Sequence, residues 1–248
     1  MIFKANGHEI VVNTPTKAAL LSAVSERFAQ AQGFAIATIN LDHLVKLDAC
    51  EHFARAYSAQ DIVVADGNPI VWLSRLARRP VSLVPGSEMV LPLAELAAEK
   101  HIKVALFGST NESLAASAQA LQDKVPELEI SCQIAPPMGF DPESDAAADM
   151  LTELEASGAG LVFLALGAPK QEAFAARGRT LVPSLGFASI GAGLDFLSGA
   201  QHRAPKWVQA IAMEWAWRAA QAPKRLVPRY LHCFAILPRL LFNAFSLR

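Results

Sequence analysis

Several kinds of chemistry are short of raw material in this 248-residue chain. It has three cysteines, Cys50, Cys132 and Cys233, an odd number set far apart, so they read as reduced core thiols in a reducing cytoplasm rather than as a disulfide frame or a zinc site. The six histidines are spread singly and no Asp-x-Asp occurs, which leaves metal chemistry little support. A Gly-x-Ser-x-Gly nucleophile elbow is missing too. No stretch reaches about 18 uninterrupted apolar residues, and the nearest candidate, residues 231–247, is interrupted by Pro238 and Arg239. The opening MIFKANGHEIVVN alternates polar and apolar residues and lacks the apolar core of a signal peptide, so export by that route is not expected. Charged residues make up only 18% of the chain against 52% apolar, a balance that excludes disorder and allows a sizeable core. There is no internal repeat and no low-complexity segment.

What is present is an alternation of apolar runs and helical stretches. Residues 2–12 predict a hairpin turning at Asn6-Gly7, a dipeptide that accepts the positive φ angles of a two-residue turn. Thr14-Pro15 reads as the N-cap and first residue of a helix to about Gln32. Strands are expected at 34–39, 61–65, 103–107, 128–134, from Leu161 and at 186–190. Helices fall between them at about 42–57, 69–76, 87–100, to 124, at 144–157 and from Lys170, with Ser109 and Glu112 at capping-box spacing. The loop APPMGFDPES reads as a mobile surface segment. This alternation predicts an α/β fold, a Rossmann-like parallel sheet with helices on both faces and an N-terminal β-hairpin. From about Pro205 the pattern is helical only, dividing the chain into a core, 1–200, and a basic helical appendage, 201–248. That tail holds eight Lys or Arg against one acid, Glu214, about +7, so the first 200 residues carry about −8 of a formal net charge of −1. Such a split predicts a tail that meets phosphates or an acidic membrane surface. A pI near 6.6 and an acidic body argue against nucleic acid.

In a parallel sheet the strand ends converge on one edge, and here they carry Thr38 and Asn40, Asp66 and Gly67, Gly108 to Asn111, Gly167 to Gln171, and Gly191 to Asp195. The segment LVFLALGAPKQE, 161–172, reads as a buried strand, a break and a helix opening on Lys170 and Gln171. Helix N-termini there offer unpaired N–H groups to an anion. Asp66 directly follows an apolar strand, a setting that raises a carboxylate pKa and suits a general base, although an Asp-Gly turn that caps a helix is the plainer alternative. Gly191-x-Gly193 lacks the third glycine of a dinucleotide fingerprint, and Gly108-Ser-Thr lacks the ending of a P-loop. In the tail, Arg203, Lys206, Arg218, Lys224, Arg225 and Arg229 are interleaved with Trp207, Trp215, Trp217 and Tyr230. That mixture suits a membrane interface, and equally an amphipathic helix with core tryptophans.

Eight motifs in order, TINLDHL (38–44), ADG (65–67), VPGSE (84–88), LFGS (106–109), LGAPKQE (166–172), GAGLDFLSG (191–199), RAPKW (203–207) and EWAWRAAQAPKRLVPRY (214–230), resemble the WecG/TagA/CpsF family of bacterial glycosyltransferases. The resemblance runs from about residue 2 to 230. It implies the GT-E fold and an inverting, metal-independent transfer with no cofactor. A hexose or N-acetylhexosamine moves from a UDP-sugar to a polyprenyl-diphosphate-linked saccharide in surface polysaccharide synthesis. The enzyme would be cytoplasmic, peripheral on the inner face of the cell membrane. Asp66 matches the general base, Thr38 and Asn40 line the same pocket, Gln171 matches the glutamine after Pro-Lys, and Arg218 and Arg225 match appendage arginines that offset diphosphate charge. Where members often carry a further arginine, this chain has Pro228, and Arg229 is expected to take over. Gly67, Gly108, Lys170 and Arg203 complete the expected substrate-binding set. The sequence leaves homo-oligomerisation open. It also leaves two rival classes, a non-catalytic nucleotide-binding scaffold docked at the membrane, and an NAD(P)-dependent oxidoreductase that the missing glycine disfavours.

Overall fold

A computed structural model describes residues 1–201, 203–205, 207–208 and 211–247. The chain opens with an antiparallel hairpin, β1 (Ile2–Ala5) and β2 (His8–Val11), turned by Asn6 and Gly7 at φ 47° and 77°. There follow α1 (Lys17–Ala29), β3 (Phe34–Ile39), α2 (Leu41–Ala49), α3 (Glu51–Ser58), β4 (Ile62–Ala65), α4 (Asn68–Leu76) and α5 (Gly86–Glu99). The chain continues through β5 (Val104–Gly108), α6 (Asn111–Lys124), β6 (Ile130–Ile134), α7 (Asp145–Ala156), β7 (Leu161–Ala165) and α8 (Lys170–Leu181). It closes with β8 (Gly186–Ser189), α9 (Gly193–Leu197), α10 (Glu214–Gln221) and α11 (Pro223–Ser246).

Strands β3 to β8 form one parallel sheet in the order β4-β3-β8-β7-β5-β6. β3, FAIATI, is buried at every residue, as expected of a central parallel strand covered on both faces. Phe34 and Ile36 point to the layer of α1, α5, α6 and α9, where Leu20, Met89, Leu93, Leu114 and Leu194 pack. Ala37 and Ile39 point the other way, to a core with Leu47, Phe53, Tyr57, Ile70 and the α11 residues Leu240 and Ala244. α7 and α8 complete that second layer, with Phe174 stacked on Phe107 at 4.4 Å.

The structure departs from the sequence reading where side-chain bonding overrides local pattern. Thr16, not Thr14, caps α1 by accepting from the Ala19 N–H, because the Thr14 N–H is tied to Val63 at the sheet edge. The expected helix 42–57 splits at Cys50, whose extended backbone (φ −140°, ψ 108°) redirects α3 so that Phe53 and Tyr57 enter the core. Thr110 caps α6, while Ser109 takes a left-handed φ of 52° and donates to Asp195 at 2.8 Å. Of the three thiols, Cys50 is exposed and only Cys233 is buried, which corrects the picture of three core thiols. Phe140 of the proline-rich loop is buried against Phe107 and Phe174. Pro228 and Pro238 do not break α11. Each forfeits one N–H bond, and burial of Leu226, Cys233, Leu240 and Ala244 along one side offsets the loss. Among the described residues no helix is long and apolar enough to cross a membrane.

Gly108 ends β5 at φ +116°, and a Cβ there would stand 2.5 Å from the Ala165 carbonyl oxygen. Its place in the fold is fixed by backbone approach. Gly108→Ala is therefore expected to cost about 2 kcal/mol or more, read as a clear drop in melting temperature.

Candidate active site

β3 leaves the carboxyl edge of the sheet toward α2 on one face, and its neighbour β8 leaves toward α9 on the other. Such an opposed pair opens a crevice where parallel sheets bind ligands. Gly86 lets the start of α5 press into it: a Cβ there would lie 3.2 Å from Thr38 Cγ2 and 3.3 Å from Ile190 Cα. Gly193 does the same for α9, since a Cβ would meet Val90 Cγ2 at 2.8 Å.

Asp66 sits at this edge, half-buried, its N–H bonded to Ile39 O at 2.8 Å. It does not cap α4. The N-cap is Gly67, at φ 106°, with no side-chain capping bond. Burial, and next the charge of Glu214, pushes the Asp66 carboxyl up to about 6, against the pull of Arg218, an Asn40 hydrogen bond and Arg203. Asn40 serves two groups, accepting from the His43 N–H with Oδ1 at 3.0 Å while bonding Asp66. Arg203 donates to Ser87 Oγ at 3.1 Å and Glu88 Oε1 at 3.2 Å, and lies over the Phe196 ring. Thr38, Asn40, Asp66, Gly67, Arg203 and Arg218 thus gather at one place.

The other expected residues stand differently. Gln171 is 3% exposed and both ends of its amide are engaged: Oε1 accepts from Gly191 N–H at 3.2 Å, and Nε2 donates to Glu172 Oε1 at 2.8 Å. It braces the edge from beneath. Lys170 is exposed, as is Arg225 in the first turn of α11. Arg229 is held by Asp42, Nε to Oδ1 at 2.7 Å. Gly108 closes β5 beside the Ser109–Asp195 bond. Lys206 lies outside the described residues.

Beneath the crevice runs a buried polar network that the sequence reading missed. Burial drives His43 down to about 4, so its ring is neutral; it bonds the Thr38 backbone and lies 3.5 Å from the Tyr57 hydroxyl. Tyr57 is pushed well up by burial and by the nearby Glu172 and Asp66 carboxylates. Glu172 is fully buried, and burial raises it to about 7. Lys46 ties the network to the GAPKQE turn, pairing with Asp42 at 2.8 Å and donating to Ala168 O at 2.9 Å. The available signal was a set of polar residues, His43, Tyr57 and Glu172, at positions that the helix pattern turns inward.

The model of the glycosyl transferase WecG/TagA/CpsF family matches residues 6–248. The chain belongs to that family. The match carries on past Tyr230 and takes in all of α11. Among similar members is an N-acetylglucosaminyldiphosphoundecaprenol N-acetyl-beta-D-mannosaminyltransferase of Bacillus spizizenii, 28% identical over 180 residues, 70% of this chain and 68% of that protein. A Staphylococcus aureus protein of the same name is 28% identical over 165 residues, 66% of this chain and 63% of its own length. In this WecG/TagA/CpsF member the motif residues Asn40 and Asp66 meet the crevice beyond the ends of β3 and β4, and Gln171, in the first turn of α8, braces the edge beneath it.

Glu172 has an ordinary value of 4.5 and is held near 7 in the fold. The folded chain therefore binds a proton that the unfolded chain has lost, and stability falls as pH rises between those values. Glu172→Gln keeps an oxygen for Gln171 and removes the titration. Thermal melts are expected to show the variant above the parent at pH 8, with the gap closing toward pH 5.

Proposed function

We propose that the chain is an inverting glycosyltransferase that moves a hexose or N-acetylhexosamine from a UDP-sugar to a saccharide carried on a polyprenyl diphosphate, with Asp66 as general base. The observation that carries this reading is Asp66 itself, a carboxylate raised to about 6 at the crevice with Arg203 and Arg218 beside it. A base is most effective when its pKa lies near the working pH.

In this mechanism Asp66 takes the proton from an acceptor hydroxyl as that oxygen attacks the anomeric carbon of the donor. The bond from the anomeric carbon to the diphosphate oxygen breaks, and UDP leaves with the electron pair. One carboxylate is enough, because a single displacement inverts the centre and needs no covalent enzyme intermediate. Arg203 and Arg218 offset the charge that grows on the diphosphate, and this cationic pair makes a metal unnecessary. Arg225, exposed at the start of α11, and Lys170, exposed at the mouth, meet the phosphates from outside. Arg229 acts through Asp42 rather than on the substrate. Thr38, Asn40 and Gly67 line the pocket, and Gln171 holds the Gly191 loop against it.

The relatives' name supports the acceptor and the kind of group transferred. They transfer a beta-linked N-acetylmannosaminyl group to a sugar on diphosphoundecaprenol, and a beta product is what inversion of an alpha-linked UDP-sugar yields. Residues 201–248 are the part of the chain that meets the inner face of the membrane. Trp207, Trp215 and Trp217 are exposed there alongside Lys224 and Arg225, the residue types that settle at a headgroup interface.

Asp66→Asn is expected to lower kcat by about 10²-fold or more while leaving the melting temperature at or above that of the parent. In the parent, kcat/KM should rise with pH through about 6, and this acid limb should vanish in the variant. Near-parental turnover in Asp66→Asn would remove the base assignment.

A further inference from the structure

One apolar feature lies away from the crevice. α11 is 24 residues long, about 36 Å. Its inner side is buried at Leu226, Cys233, Leu240 and Ala244. A second apolar stripe, Val227, Leu231, Phe234, Leu241 and Phe245, recurs every three or four residues or a multiple of that, so it shares one face, and all five residues are exposed. The stripe ends at a shallow, open groove. Among the described residues, Leu241, Phe242 and Phe245 face Leu76 of α4 across a groove of about 550 Å³ whose one polar lining residue is Ser246. Trp72, 56% exposed, stands one turn before Leu76 on the same side of α4.

The groove and the crevice are connected along both walls. α4 starts two residues after Asp66 and reaches Leu76 after nine residues, about 13 Å. On the other wall, α10 carries Arg218 beside Asp66 and lays Trp215 against Phe234 of the stripe, ring centres 5.4 Å apart. Charge follows the same direction. Lys224 and Arg225 stand at the start of α11, Arg239 is engaged by Asp48, and the last turn carries no basic residue. A track that is cationic at the crevice end and apolar beyond matches a long apolar chain headed by a diphosphate.

We infer that the flank between α4 and α11 is the track for the first isoprene units of the acceptor's polyprenyl chain, with Trp72, Leu76, Leu241, Phe242 and Phe245 as its walls. This rests on the glycosyltransferase reading above. The protein thereby selects acceptors by their lipid as well as by their sugar, and does so without a bilayer.

The test uses the full chain in detergent-free buffer without vesicles, with N-acetylglucosaminyl diphosphates bearing methyl, geranyl or farnesyl groups and UDP release as readout. The farnesyl acceptor is expected to exceed the methyl acceptor in kcat/KM by about tenfold or more, in line with burial of several methylene groups. Leu241→Gln/Phe242→Gln, and separately Trp72→Gln on the opposite wall, should abolish that advantage and leave the methyl acceptor unchanged at an unaltered melting temperature. If transfer proceeds but chain length has no effect, or if both variants keep the advantage, the track is wrong. A chain-length effect that appears only when vesicles are added overturns it as well, and makes the stripe a bilayer contact. Absence of transfer to every acceptor overturns the underlying glycosyltransferase reading instead.

Discussion

Parallel pairing of β3 with β4 on one side and β8 on the other is the constraint from which the site follows. Ile39 lies opposite Ala65, and Ile36 opposite Ala188, so the residues just beyond, Asn40, Asp66 and Gly191, arrive at one edge. No side chain could bring them together if the sheet were mixed. The register alone leaves the loops loose, and the polar network beneath removes that freedom. Gln171 holds the Gly191 N–H, Glu172 holds Gln171, and Lys46 holds both Asp42 and the turn before α8. Buried polar groups of this kind cost stability unless they are paired; Glu172 Oε2 lies buried without a hydrogen-bond partner, while the bonds that are made hold the edge in one geometry.

The same low-dielectric setting tunes Asp66. Burial and Glu214 push upward, Arg218, Asn40 and Arg203 pull downward, and the balance falls near 6. The arginines thus have two consequences: they favour the ionised form of Asp66, and they place positive charge where the proposed reaction would release a diphosphate. Arg203 is itself positioned by Ser87 and Glu88 at the start of α5, which explains why the VPGSE segment belongs with the site.

Much of the fold was legible because strand and helix periods differ so sharply. All six strands of the sheet, the hairpin and the helical tail lie where apolar runs and Gly, Pro and Asp breaks placed them. What escaped was decided by contacts distant in sequence. Nothing in the run 42–57 marks Cys50 as a break, since the tilt of α3 exists to seat Phe53 and Tyr57 against other elements. Gln171 read as a ligand-facing residue at a helix start; it is buried, and Gly191, twenty residues on, and Glu172 use both ends of its amide. Arg229, expected to take the place of the arginine missing at Pro228, pairs with Asp42, a contact that sequence spacing does not announce. Sequence order placed the polar residues on the correct edge; only packing tells which face the crevice and which brace it.

Transfer of a sugar from a UDP-sugar to a lipid-linked saccharide at the Asp66 crevice, as proposed, is tested most directly by UDP release from a panel of UDP-sugars, with and without N-acetylglucosaminyl-diphosphate-polyprenol, with the product linkage read by NMR. The expected result is acceptor-dependent release from one donor, matched mole for mole by a beta-linked disaccharide. Release that ignores the acceptor, or an alpha-linked product, would contradict single displacement at this site.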